Sequence, residues 1–306
     1  MRITTCLSVL LLLAGHAVPC HTAEQATSER VAATITPFLD EQTVIVAHLD
    51  LVALNIDDAV AAIGALLGEH ATTGIRPVSE TAQRLKIAGP REAYYLLSVA
   101  DMPKYPGMIV VPLLDGSDHS GVRAVLEATA MQPGFRVEQI DRAMISAAPE
   151  TLTRLKTLSP VSRPHLATAL AAVETAPLKI VFTPPEYFRK VIEETLPELP
   201  EVIGGGPSTT LTAGLQWVAV GIELAPQPQV RIVVQSESAE AAVALAKKFG
   251  ETCELLRKNE KARADMPSID VVMPLLMPTV EGDRVVLALN VENGRLPKLI
   301  QALTGK

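Results

Sequence analysis

The chain has 306 residues, 48% of them hydrophobic, and sets 27 lysines and arginines against 34 acids for a net charge of −7. That balance excludes attachment to nucleic acid or to anionic lipid through bulk charge. Aromatic residues make up 3% and cysteines number three, too few for stacking platforms or for a disulfide framework.

Residues 1–23 read as a Sec-type signal peptide. Arg2 supplies the positive start, and Leu7 to Ala14 form a short uncharged apolar run. Gly15-His16-Ala17 and Val18-Pro19-Cys20 offer alternative cleavage sites within 17–23. The run is too short to span a bilayer, and no later stretch reaches the ~18 apolar residues a span needs. The expectation is an exported protein, periplasmic or extracellular, with no transmembrane span in the mature chain. A lipid-anchored form is not expected: a lipid-anchor box wants a small residue before its cysteine and leucine three before it, where Pro19 and Ala17 stand.

The mature chain reads as two α/β units, 24–160 and 161–306. In the first, an Ala-rich helix leads into the β-branched run Thr43–Ala47. Asp57 or Asp58 opens a helix carrying Val60, Ile63 and Leu67, and residues 69–91 form a loop-and-helix insertion. Glu92–Ala100 and Gly107–Leu114 are apolar runs joined by a proline-containing turn, the mark of a hairpin. Ser117 or Asp118 caps a helix near Gly121–Ala130, and a hairpin turns at Asp141-Arg142. Leu158–Pro164, with two prolines, is the joint.

The second unit follows the same plan. Strand Leu178–Phe182 leads into Thr183-Pro184-Pro185-Glu186, a capping-box pattern, whose helix continues its apolar face through Val191, Ile192, Thr195 and Leu196. Gly204-Gly205-Gly206-Pro207 marks a flexible loop running through Thr209-Thr210 into a strand. Leu215–Leu224 and Gln229–Gln235 form a hairpin, and Ser236 caps a helix to about Lys258. Glu281-Gly282-Asp283 is a tight-turn signal. Residues 31–50 align without a gap on 166–185, at an offset of 135. Val137–Arg142 is echoed by Val280–Arg284. An internal duplication is therefore expected, in the α+β class, with mainly antiparallel sheets and helices packed on one face.

Candidate chemistry is sparse. His48 and Asp50 share one strand face, so an imidazole meets a carboxylate if the strand continues; the alignment instead matches His48 to Thr183, a strand-to-helix junction. Asp115-Gly116-Ser117-Asp118-His119 gathers two carboxylates and an imidazole but lacks the further oxygens of a calcium loop, which leaves a turn running into a helix cap. The triple glycine lacks the Lys-Ser/Thr of a phosphate cradle. Cys253 lies on the helical stripe Ala242, Ala246, Phe249, Cys253, Leu256, and Trp217 lies in a predicted strand; both read as core. With no G-x-S-x-G, H-E-x-x-H, C-x-x-C or G-x-G-x-x-G, no catalytic, cofactor-binding or metal-ligating residue is assigned, and no cofactor is expected.

The leader, together with FLDEQTVIVAHLD (Phe38–Asp50), GGGPSTTLTAGLQW (Gly204–Trp217) and PTVEGDRVVLAL (Pro278–Leu289), resembles uncharacterised exported proteins from bacteria of the planctomycete type. The resemblance covers most of the chain and implies export, and it brings no activity or cofactor. The leading functional expectation is a non-enzymatic binding or scaffold protein of the periplasm or cell envelope. Its partner is an unknown protein or a small apolar ligand, not nucleic acid. The alternatives are an extracytoplasmic hydrolase with a site near His48 and Asp50, and a carrier of an apolar ligand.

Overall fold

The computed structural model describes residues 18–306 apart from 68, 103, 106, 130–132, 174–175 and 305–306; the leader up to residue 17 lies outside the described residues. In the first half the elements run α1 (Val18–Ile35), β1 (Thr43–Asp50), α2 (Ile56–Leu67), α3 (Glu69–Ala88), β2 (Glu92–Ser98), β3 (Met108–Pro112), α4 (His119–Ala128), β4 (Arg136–Ile140), β5 (Ala143–Ala147) and α5 (Pro149–Lys156). The second half runs α6 (Pro164–Ala171), β6 (Leu178–Phe182), α7 (Glu186–Thr195), α8 (Thr209–Gly214), β7 (Trp217–Glu223) and β8 (Gln229–Gln235). It ends with α9 (Ala239–Lys258), α10 (Glu260–Asp265), α11 (Ile269–Leu275), β9 (Thr279–Glu281), β10 (Arg284–Asn290) and α12 (Arg295–Thr304).

The ten strands of the described residues join one antiparallel sheet in the order β4-β5-β3-β2-β1-β6-β7-β8-β10-β9, and the class is α+β. The two halves meet at its centre, where β1 pairs with β6 from Ile45↔Phe182 to Leu49↔Leu178. Read outward from that pair, the strand order is β1-β2-β3-β5-β4 on one side and β6-β7-β8-β10-β9 on the other. The outer hairpins close through two-residue loops, Ile140 pairing with Ala143 and Glu281 with Arg284. Asp141 (φ 51) and Gly282 (φ 62) supply the left-handed backbone that such tight turns require.

Helices cover both faces, not the single face expected. On one face α1, α5 and α6 bury Val31, Ile35, Leu152, Leu166 and Leu170 against Val46, Tyr94, Val181 and Ala219. On the other, α3 and α4 bury Ala82, Leu85, Val122 and Leu126 against Ala93, Val111 and Met144. The reason lies in β3 and β5, where neighbouring residues such as Val110 and Val111, or Met144 and Ile145, are all buried, so both faces need cover. A satellite core of Cys253, Ile269, Val272 and Met273 sits beneath Leu256 and Leu299, between α9, α11 and α12. At Gly221 a side chain would come within 2.7 Å of Val173 Cβ, so the absence of a Cβ lets the end of α6 close onto β7.

Asp57 and Asp58 lie in the first turn of α2, and Asn55 before it accepts from the Asp58 N–H at 3.3 Å. Three local expectations are corrected. Ser238, not Ser236, caps α9; its hydroxyl accepts from the Ala241 N–H at 3.2 Å, while Ser236 donates to the Gly214 carbonyl. Thr183 caps nothing: its N–H is drawn into the sheet toward the Val44 carbonyl, and α7 starts from Pro185 without a side-chain cap. Thr209 and Thr210 open the short helix α8 instead of linking into a strand. On the apolar side of α7, Val191 and Leu196 stay exposed and Ile192 is only half-buried.

Candidate functional site

His48 lies within β1, 3% exposed, and not at a helix start. Its Nε2 stands 3.3 Å from Glu92 Oε2 on β2. Arg30, one α-helical layer above, donates to both oxygens of the same carboxylate at 3.0 and 3.2 Å. An ionised carboxylate only accepts, so the shared contact places the imidazole hydrogen on Nε2. Nδ1 is then a buried lone pair with no partner among the described residues. The Tyr94 ring packs 5.0 Å from the imidazole and its hydroxyl donates to the Val31 carbonyl.

The electrostatics follow from these contacts. Burial works against the Glu92 charge, but the hydrogen bonds from His48 and Arg30 outweigh it and hold the carboxyl below its usual range. Burial pushes the Tyr94 phenol far up, so it stays protonated. Asp50 does not join His48. Its Oδ1 accepts from the Val52 and Ala53 N–H groups and stiffens the turn out of β1. Sequence reasoning missed Glu92 and Arg30 because their meeting is made by strand pairing and helix packing, across separations of 44 and 62 residues. The visible trace was a glutamate opening the apolar run Glu92–Ser98.

Lys179 is the cross-strand neighbour of His48, and its Nζ donates to the Leu170 carbonyl at 3.2 Å. No hydroxyl or thiol hydrogen-bonds to His48 among the described residues. The cluster therefore has an oriented imidazole and a carboxylate paired with Arg30, with no hydroxyl or thiol on the imidazole among the described residues.

Two polar clefts flank the central strand pair. One, about 540 Å³, is lined by Thr27, Arg30, Asp50, Arg91 and Glu92 among others. The other, about 520 Å³, lies beside the start of α6 and includes His165, Pro185, Tyr187, Arg189 and Gln216. Positions 135 apart line both: Arg30 and His165, Asp50 and Pro185, Val52 and Tyr187. A fourth such pair, Thr27 and Ser162, keeps its hydroxyl, whereas the chemistry of the other three pairs changes.

A third cavity is of another kind. It holds about 260 Å³ between α2, α3 and the sheet. Its floor is one rung of the central ladders, Leu49↔Leu178↔Ile222, and its walls include Val60, Ile63 and Ala82, with Ser79 the only polar side chain of the lining. This is the concave, apolar geometry of small-molecule sites, with a volume slightly below their usual range.

The remaining sequence candidates serve structure. Asp118 caps α4 through the Gly121 N–H, His119 is exposed, and Asp115 pairs at the surface with Arg142 at 2.7 Å. The triple glycine adopts three left-handed conformations, and its loop is tied to α9 by Lys248 on the Gly204 carbonyl and Thr252 on the Ile203 carbonyl. Cys253 is a free, buried thiol pushed up by burial, and Phe249 on its expected stripe is 40% exposed. Trp217 is 1% exposed on β7. Among the described residues no group of three or more His, Cys, Asp or Glu converges as a metal site, and no helix is long and apolar enough to cross a membrane. No protein-family model, curated protein or solved structure matches the chain.

Proposed function

We propose that this is an exported, non-enzymatic binding protein that holds a small apolar ligand in the 260 Å³ cavity between α2, α3 and the central strands. That cavity carries the reading: its lining is apolar but for Ser79, and such a pocket gains free energy when an apolar molecule displaces its water. The leader at 1–23 supports export. The His48 cluster supports a non-enzymatic role, because both oxygens of Glu92 accept from Arg30 and no hydroxyl or thiol among the described residues hydrogen-bonds to the imidazole. We read the two halves as copies of one unit, from their common strand order and from buried positions 135 apart, Val31 with Leu166, Ile35 with Leu170, and Val46 with Val181.

The test is titration of the purified mature protein with octanoate, followed by calorimetry. Binding is expected, and Val60→Trp, which fills the cavity from its wall, should weaken it at least about tenfold while circular dichroism stays unchanged. Absence of binding, or binding indifferent to the filled cavity, would overturn the reading.

A further inference from the structure

The floor of the apolar cavity does not stop at its mouth. Leu49, Leu178 and Ile222 form one rung of three paired strands. The next rungs on the same face are Ala47↔Ile180↔Val220 and Ile45↔Phe182↔Val218. All six of these side chains are apolar and only half-buried, although they lie at the centre of the sheet, where the opposite face is sealed. At about 3.3 Å per residue, the four residues from Leu49 to Ile45 carry this open surface about 13 Å beyond the cavity.

We infer that the ligand is a single long acyl or alkyl chain, its tail in the cavity and its body lying along this trough of β1, β6 and β7. The inference rests on the apolar-ligand reading above and specifies its substrate class. Three observations select this occupant. The trough is continuous with the cavity, so one elongated molecule covers both. No polar side chain lies on either outer rung, so the covered part of the ligand has no polar group, and its head group sits outside the cavity, where water can solvate it. The half-buried apolar positions on this face, with those of β2 and β8, number about a dozen. A stable contact between protein copies draws on about 20–30 residues a side, more than these positions supply on their own.

The experiment compares octanoate with palmitate on the intact mature protein, with Ile180→Glu placed in the trough. Each methylene removed from water is worth up to about fourfold in affinity, and partial burial over eight methylenes predicts palmitate binding on the order of a hundredfold tighter. Ile180→Glu should abolish that advantage and leave octanoate binding unchanged. If Ile180→Glu does not fold, Val220→Thr tests the same rung more gently. Equal affinity for the two chains, or a palmitate advantage that survives in the trough variants, overturns the inference and leaves the apolar-ligand reading standing. Failure of both chains to bind overturns that reading and the inference with it. A ligand-free dimer in sedimentation that the trough variants disperse would identify a second copy as the occupant, and would also overturn the inference.

Discussion

At Glu92 burial and hydrogen bonding oppose one another, and the hydrogen bonds prevail. A carboxyl held below its usual value in the folded chain contributes its stability above the ordinary range, near 4.5. That contribution disappears as pH falls through the lowered folded value. Glu92→Gln keeps the shape but removes the charge facing Arg30 and His48, and should cost about 1–3 kcal/mol at neutral pH. Urea midpoints taken from about pH 7 down to about pH 3 should fall more steeply for the wild type than for the variant. Parallel curves would mean that the carboxylate is not the acid-sensitive group. The sequence displayed His48 and Asp50 as a pair because they are two residues apart. The carboxylate that the imidazole meets comes from the neighbouring strand, and only strand register decides that.

At the scale of elements, strand and hairpin positions were read closely because alternation and turn chemistry are local. Gln229–Gln235 matches to the residue, and the cap of α4 at Asp118 is one of the two expected. Helix starts were read less well where several small polar residues cluster. Ser236 and Ser238 are both good caps by type, but Ser236 is drawn to the Gly214 carbonyl, which leaves Ser238 at the first turn of α9. Ser238→Ala should therefore cost about 1 kcal/mol as a lost cap. Ser236→Ala should leave the helical amide signals of α9 unshifted and perturb the start of β7. Hydrogen exchange over residues 238–245 would separate the two; fraying of α9 in Ser236→Ala alone would reverse the assignment. The amphipathic pattern of α7 was legible, but periodicity reports which side of a helix is apolar and not whether anything lies against it.

For the whole molecule, the pairing of β1 with β6 makes one sheet of two halves. The core on the α1 side runs from Ile145 in the first half through Val46 and Val181 to Val286 in the second. Neither half can open its central strand without exposing the other's. Thermal or urea unfolding should thus be a single transition, with Trp217 fluorescence, which reports on β7 in the second half, coinciding with far-ultraviolet circular dichroism of the entire chain. Two separated transitions would show that the halves are independent despite the shared sheet.

Local periodicity and turn residues are written in the chain itself, and they sufficed for the α+β class and the positions of the hairpins. The tertiary structure decided which carboxylate faces His48, that one sheet serves both halves, that helices lie on both faces, and that an apolar cavity opens onto a trough of three strands. These features depend on contacts between residues dozens to more than a hundred positions apart, such as Leu49, Leu178 and Ile222 on one rung. A local pattern can say that each of them is apolar; only the register of the assembled sheet places them side by side.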